Sequence, residues 1–147
     1  MNAYEKSNSI EKVALSRLSK KEYQALLSTC ESIKDRQKAA QTLCDYLSDK
    51  FHISRTKVNT VNRSQPHRTN SGRLRSKTLG TYNVQTEVVT MYNLTAVKKQ
   101  PVSIKVFTGT LLHEFMHHYD MKYLKLDNSL HTAGFYKRIS DLENKLK

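Results

Sequence analysis

The sequence predicts an α+β domain in which N-terminal helices, a small antiparallel sheet and further helices follow in order. Four observations carry this expectation. Apolar residues recur at three- and four-residue spacing near both ends of the chain, and segments rich in Thr, Val and Tyr occupy the middle. The length of 147 residues suits one compact domain spanning 1–147. Gly and Pro number only 4 and 2, which excludes collagen-like and Pro-rich disordered chains.

Residues 9–50 read as helical. Ser19 and Glu22 have capping-box spacing, so a helix is expected to start there and run through Leu26 and Leu27. A second helix is expected after Asp35, with Ala40, Leu43, Leu47 and Phe51 as its buried stripe. Val58 and Val61 mark a short strand. Residues 63–77 read as a polar, basic loop carrying Arg63, His67, Arg68, Arg73, Arg75 and Lys77 around Pro66 and Gly72. Residues 78–84 and 87–94 predict two paired strands with a tight connection around Gln85. Pro101 precedes a long helix over residues 103–124, and a polar turn follows at 125–129. A last helix from about Phe135 places Phe135, Ile139, Leu142 and Leu146 on one face. Cys30 and Cys44 are too few for a disulfide framework and too distant for a Cys-x-x-Cys knuckle, so both are expected as small buried side chains.

Lys and Arg number 25 against 13 acidic residues, a formal charge of +12. That excess favours an anionic partner, and DNA bound non-specifically through the basic loop 63–77 is the expected form. No apolar run approaches the roughly 20 residues that span a bilayer, so no membrane partner is expected. Residues 1–11 are polar and lack the apolar stretch of a secretory signal, which points to a cytoplasmic location.

Residues 113–117 read His-Glu-Phe-Met-His. Positions four apart share one helix face, so His113 and His117 can present two imidazoles to one Zn2+ ion. Glu114 lies one step round the helix, placed to act as general base on a water that the ion acidifies. Four of the six histidines crowd between positions 113 and 131. A third ligand is needed, and His118, Asp120 and His131 are the candidates. His118 points about 100° away from its neighbour His117. Asp120 is nearly in line but about a turn too far along, better placed to accept the outer N–H of His117. His131 follows a turn long enough to bring the chain back under the helix and is the expected ligand. Tyr119, Tyr123 and Tyr136 are candidate oxyanion donors, with packing the more ordinary role for each.

With these residues in place the chain resembles the SprT-like metallopeptidases, the Spartan-related family. Members carry His-Glu-x-x-His followed by a third His in a His-Gly-x-x-Phe/Trp context that opens the next helix. Here His131-Thr132-Ala133-Gly134-Phe135 occupies that place, with the aromatic conserved in position and Thr132 where members have Gly. Leu79-Gly80-Thr81-Tyr82 and the strand after it are similar to the family's strand pair ahead of the catalytic helix. The resemblance covers residues 78–142 well. It implies a zincin-like minimal metalloprotease domain without the zinc ribbon many members append, and proteolysis directed in several members at DNA-associated proteins.

The expectation is therefore a zinc metalloendopeptidase acting on a protein substrate, with His113, His117 and His131 on the metal and Glu114 as base. The alternatives are a basic DNA-binding module with a non-catalytic metal site, and a different zincin with Asp120 as a ligand.

Overall fold

The computed structural model describes residues 1–70 and 72–147, apart from the side chains of Leu74, Arg75 and Ser76. Ser71 and the Arg75 side chain, both within the stretch read as a basic loop, lie outside the described residues. The elements run α1 (Ala3–Ser9), α2 (Lys21–Leu27), α3 (Ile33–Lys50), β1 (Lys57–Ser64), β2 (His67–Asn70), β3 (Arg73–Lys77), β4 (Gly80–Asn83), β5 (Val88–Leu94), α4 (Ile104–Lys122) and α5 (Ala133–Leu146). The class is α+β, as expected.

One hydrophobic cluster reaches from Val13 to Leu146. It is built from the Ala40–Leu43–Leu47–Phe51 stripe of α3, the inward residues Val89 and Met91 of β5, the apolar face of α4, and Phe135, Leu142 and Leu146 of α5. The predicted stripes of α3 and α5 thus lie where periodicity put them, with Ile139 packed at the margin.

The N-terminal third is less continuous than residues 9–50 suggested. Helix α1 begins earlier, capped by the Asn2 side chain, which accepts from the Glu5 amide. The predicted Ser19–Glu22 capping box does not form: Lys20 is the N-cap of α2 and makes no side-chain cap bond. Helix α3 starts before Asp35, because Ser32 is its N-cap and accepts from the Asp35 amide. Cys44 is buried in α3, whereas Cys30 is exposed in the connection between α2 and α3.

The three-stranded sheet has the order β1-β5-β4 and is mixed rather than antiparallel. β4 and β5 pair antiparallel, with Tyr82 opposite Val89, while β1 runs parallel to β5, with Val58 opposite Val89. Parallel neighbours need a crossover of a dozen or more residues. The connection containing β2, β3 and β4 supplies that length, which alternation in β1 could not reveal.

The stretch read as a loop also differs. Within it, β2 and β3 form an antiparallel hairpin, with His67 opposite Lys77. Gly72 in its connection has φ +75°, a conformation that favours glycine. All four residues of β2 are exposed. His-Arg-Thr-Asn in β2 and Arg-Leu-Arg-Ser-Lys in β3 carry a single aliphatic residue, so the hairpin has no alternating apolar face and leaves little sequence signal.

The outer edge of β1 is covered by side chains instead of a strand. Gln37 accepts from the Thr60 amide and donates to the Val58 carbonyl at 2.7 Å each. Gln41, one turn along α3, accepts from the Val58 amide at 2.7 Å and donates to the Thr56 carbonyl at 3.0 Å. Two carboxamides at helical spacing thereby stand in for the missing strand. β4 is the other edge, and among the described residues no strand or side chain pairs with its outer side.

Candidate metal centre

Helix α4 carries the His-Glu-Phe-Met-His segment in its middle. Ser103 caps it by accepting from the Val106 amide, and Phe107, Leu111, Leu112, Phe115 and Met116 fix it in the core. Gly80 of β4 sits hard against it: a Cβ there would lie 3.0 Å from the Thr110 methyl and 3.1 Å from the Thr90 carbonyl oxygen. The missing side chain lets the edge strand close on the helix one turn before His113.

His113, His117 and His131 come together, with ligand atoms all within 4.8 Å of one another. The Nε2 atom of His131 lies 3.2 Å from that of His113 and 3.1 Å from that of His117. Ligands of a tetrahedral zinc at its usual bond length are about 3.3 Å apart, so the spacing fits such an ion. The donor set fits as well, because neutral imidazole nitrogens are ordinary ligands of zinc. These three residues could hold a metal ion.

Phe135 forms the floor of the cluster and is fully buried. Its ring stacks on His117 at 4.7 Å and lies 5.1 Å from the His113 ring and 5.3 Å from the His131 ring. His131 immediately precedes the N-cap of α5. That cap is Thr132, whose hydroxyl accepts from the Phe135 amide at 3.0 Å. Its backbone is extended (φ −79°, ψ 166°), so the position where SprT-like members have Gly needs no glycine here. Glycine is needed two residues on, where a Cβ on Gly134 would collide with the Ser7 carbonyl oxygen and lie 2.8 Å from that of Asn8.

Asp120 does not touch His117, contrary to the expected direct contact. His117 Nδ1 meets Ser129 Oγ at 2.7 Å, and the Ser129 hydroxyl donates to Asp120 Oδ2 at 2.8 Å. Arg138 Nη2 donates to both Asp120 oxygens at 3.0 Å. Three residues past His117, Asp120 turns into the interior toward α5, and the 125–129 turn supplies the bridging hydroxyl. Burial pushes the Asp120 carboxyl up, opposed by Arg138 and Ser129. His118 also faces away from the cluster: its Nε2 donates to the Ser54 carbonyl at 2.6 Å, so its Nδ1 accepts the Tyr82 hydroxyl at 2.7 Å.

Glu114 is 7 % exposed and borders the cluster, with Oε2 3.9 Å from His113 Nε2. Burial raises its carboxyl to about 7. Burial, with the neighbouring imidazoles, lowers His117 to about 3 and lowers His113 as well. Both rings are thus held neutral, the form that binds a metal.

Two clefts meet at His113, Glu114 and Gly80. One, of about 360 Å3, runs along β4 past Tyr82, His117, Ser129 and His131. The other, of about 550 Å3, lies between Lys77, Leu79, Val106 and Gly109. Of the tyrosines considered, Tyr119 is buried in the core, where its hydroxyl accepts from the Ala14 amide. Tyr123 stacks on it. Tyr136 is half exposed, with its ring 5.9 Å from that of His131. Ser129, Arg138 and Tyr82 were not singled out from sequence. The one signal that could have found Ser129 is a polar residue in the turn before the expected ligand His131.

No helix among the described residues is long and apolar enough to cross a membrane. A scan of family models finds no match, and neither do searches of curated proteins and of solved structures. The likeness to SprT-like peptidases therefore stays an expectation from the sequence motif.

Proposed function

We propose that the chain is a zinc-dependent metallopeptidase of the SprT-like kind, hydrolysing protein substrates. The observation that carries this reading is the convergence of three imidazole Nε2 atoms beside a buried carboxylate at the junction of two clefts. His113, His117 and His131 would hold the ion. A bound Zn2+ supplies Lewis-acid polarisation of a carbonyl and acidifies a water to near neutrality. Glu114, buried at the edge of the cluster with Oε2 3.9 Å from His113 Nε2, would take up a proton from that water and return it to the departing amide nitrogen. The free edge of β4 offers backbone groups to an extended peptide lying in the cleft, the ordinary way an open edge binds one.

The rival reading, a basic module whose metal is non-catalytic, gives no use to a buried carboxylate facing an open cleft. The two separate on one variant. Glu114→Gln should keep one zinc per chain by atomic absorption and lose about 100- to 10,000-fold in hydrolysis of a denatured protein. Wild-type rates from this variant would sink the peptidase reading. His131→Ala should lose zinc, whereas Asp120→Ala losing it while His131→Ala keeps it would identify Asp120 as the ligand.

Non-specific DNA is the proposed partner of the β2–β3 hairpin. Arg63, His67, Arg68, Arg73 and Lys77 are exposed, and no acidic residue occurs between positions 51 and 86. Lys77 also lines the larger cleft, so a strand held on the hairpin would lie beside Glu114. Binding should weaken steeply with salt, by about 0.9 in log affinity per unit of log salt for each phosphate neutralised. Changing Arg68 and Arg73 to Ala should flatten that slope in fluorescence anisotropy, and an unchanged slope would remove the hairpin as the contact.

A further inference from the structure

We propose that Ser129, Asp120 and Arg138 are positioning residues for His117, and that α1 is the outer anchor of this chain of contacts. Metal affinity would then depend on an N-terminal segment that never touches the metal. The inference rests on the metal-centre reading and not on peptidase activity.

The chain of contacts has one consistent assignment of donors. Arg138 Nη2 donates to both Asp120 oxygens, leaving the carboxylate as an acceptor. The Ser129 hydroxyl therefore donates to Asp120 and its oxygen accepts the Nδ1–H of His117. That fixes the imidazole with its Nε2 lone pair toward His131 and His113, the orientation a ligand needs. Asp120 and Arg138 are both fully buried. A buried ion pair seldom adds stability over apolar packing, so its placement behind a ligand calls for another account.

The outer end is as closely built. Arg138 Nη1 donates to the Ser7 carbonyl at 2.6 Å and the Ile10 carbonyl at 2.7 Å, and Nη2 reaches Ser7 Oγ at 3.1 Å. Ser7 Oγ also lies 2.8 Å from the Thr132 hydroxyl that caps α5. Asn8 Oδ1 accepts from the Gly134 amide at 3.3 Å. Glycine at 134 is what permits α1 to sit this close, since any Cβ there meets the Ser7 and Asn8 carbonyls. The guanidinium is thus oriented from one side by α1 and presents its other side to Asp120.

The test uses the full chain, with Zn2+ affinity read by competition against a chromophoric chelator. Nitrogen-15 imidazole spectra of the metal-free protein report the His117 tautomer. Ser129→Ala removes the bridge without disturbing the buried ion pair. It should weaken zinc binding about 10- to 100-fold and mix the His117 tautomers, and Ser129→Thr should restore both. Gly134→Ala should displace α1 and weaken binding in the wild-type background but add nothing in the Ser129→Ala background. Wild-type affinity and a single Nδ1–H tautomer in Ser129→Ala would overturn the positioning role. Equal losses from Gly134→Ala in both backgrounds would overturn the part given to α1. A wild-type chain that binds no zinc would instead sink the metal-centre reading itself.

Discussion

The two edges of the sheet are treated in opposite ways. On β1, Gln37 and Gln41 bond to the backbone of Thr56, Val58 and Thr60, so this edge is closed from within the fold. On β4, Gly80 draws the strand against α4 and the outer backbone faces the cleft that holds His113 and Glu114. An unpaired edge invites pairing with other chains, and proteins usually blunt it. Here one edge is blunted with side-chain amides and the other is left open beside the candidate catalytic group. The difference teaches that openness at β4 is local, since the same short sheet has the means to close an edge.

The largest expected effect lies on the open side, beneath the histidine cluster. Phe135 is fully buried under all three imidazoles, so Phe135→Ala should cost about 3–5 kcal/mol in chemical denaturation of the metal-free protein. A loss below about 1 kcal/mol would mean that the cluster does not depend on this floor.

The closed edge should be less costly to break. Gln41→Ala strands the Val58 amide and the Thr56 carbonyl, both on nearly inaccessible residues, and should cost about 1–3 kcal/mol. Gln37→Ala should cost less, because Thr60 is only partly buried. If Gln41→Ala is neutral, water replaces the amide and β1 is not closed in the sense argued above.

These two positions also mark how far sequence reasoning reached. The gathering of His113, His117 and His131 was legible because metal ligation constrains both residue type and spacing, and helix periodicity puts the first two on one face. Phe135 was legible by its offset from His131. Gln37 and Gln41 were not, because a glutamine at i and i+4 on a helix reads as ordinary solvated surface until the strand it bonds is known. Ser129 and Arg138 were hidden for a related reason: each acts through a contact between segments far apart in sequence. The parallel pairing of β1 with β5 and the β2–β3 hairpin escaped too, since strand direction and polar hairpins leave little trace in hydrophobic periodicity.

The smallest effect is the one that bears most directly on the comparison, and it appears in amide exchange rather than in stability. Amides of Gly80–Asn83 that face away from β5 have no partner among the described residues and should exchange quickly in the free protein. The Val58 and Thr60 amides, bonded to Gln41 and Gln37, should exchange slowly from the start. In a Glu114→Gln chain loaded with zinc, an extended peptide would bind without being cut. At about 100 times its dissociation constant the peptide should slow the outward β4 amides by up to about 100-fold and leave the β1 edge unchanged. Protection that rises elsewhere while β4 stays fast would show that substrate enters the cleft without pairing to the strand. The open edge would then be a by-product of the close approach at Gly80, and the contrast between the edges would carry no information about substrate.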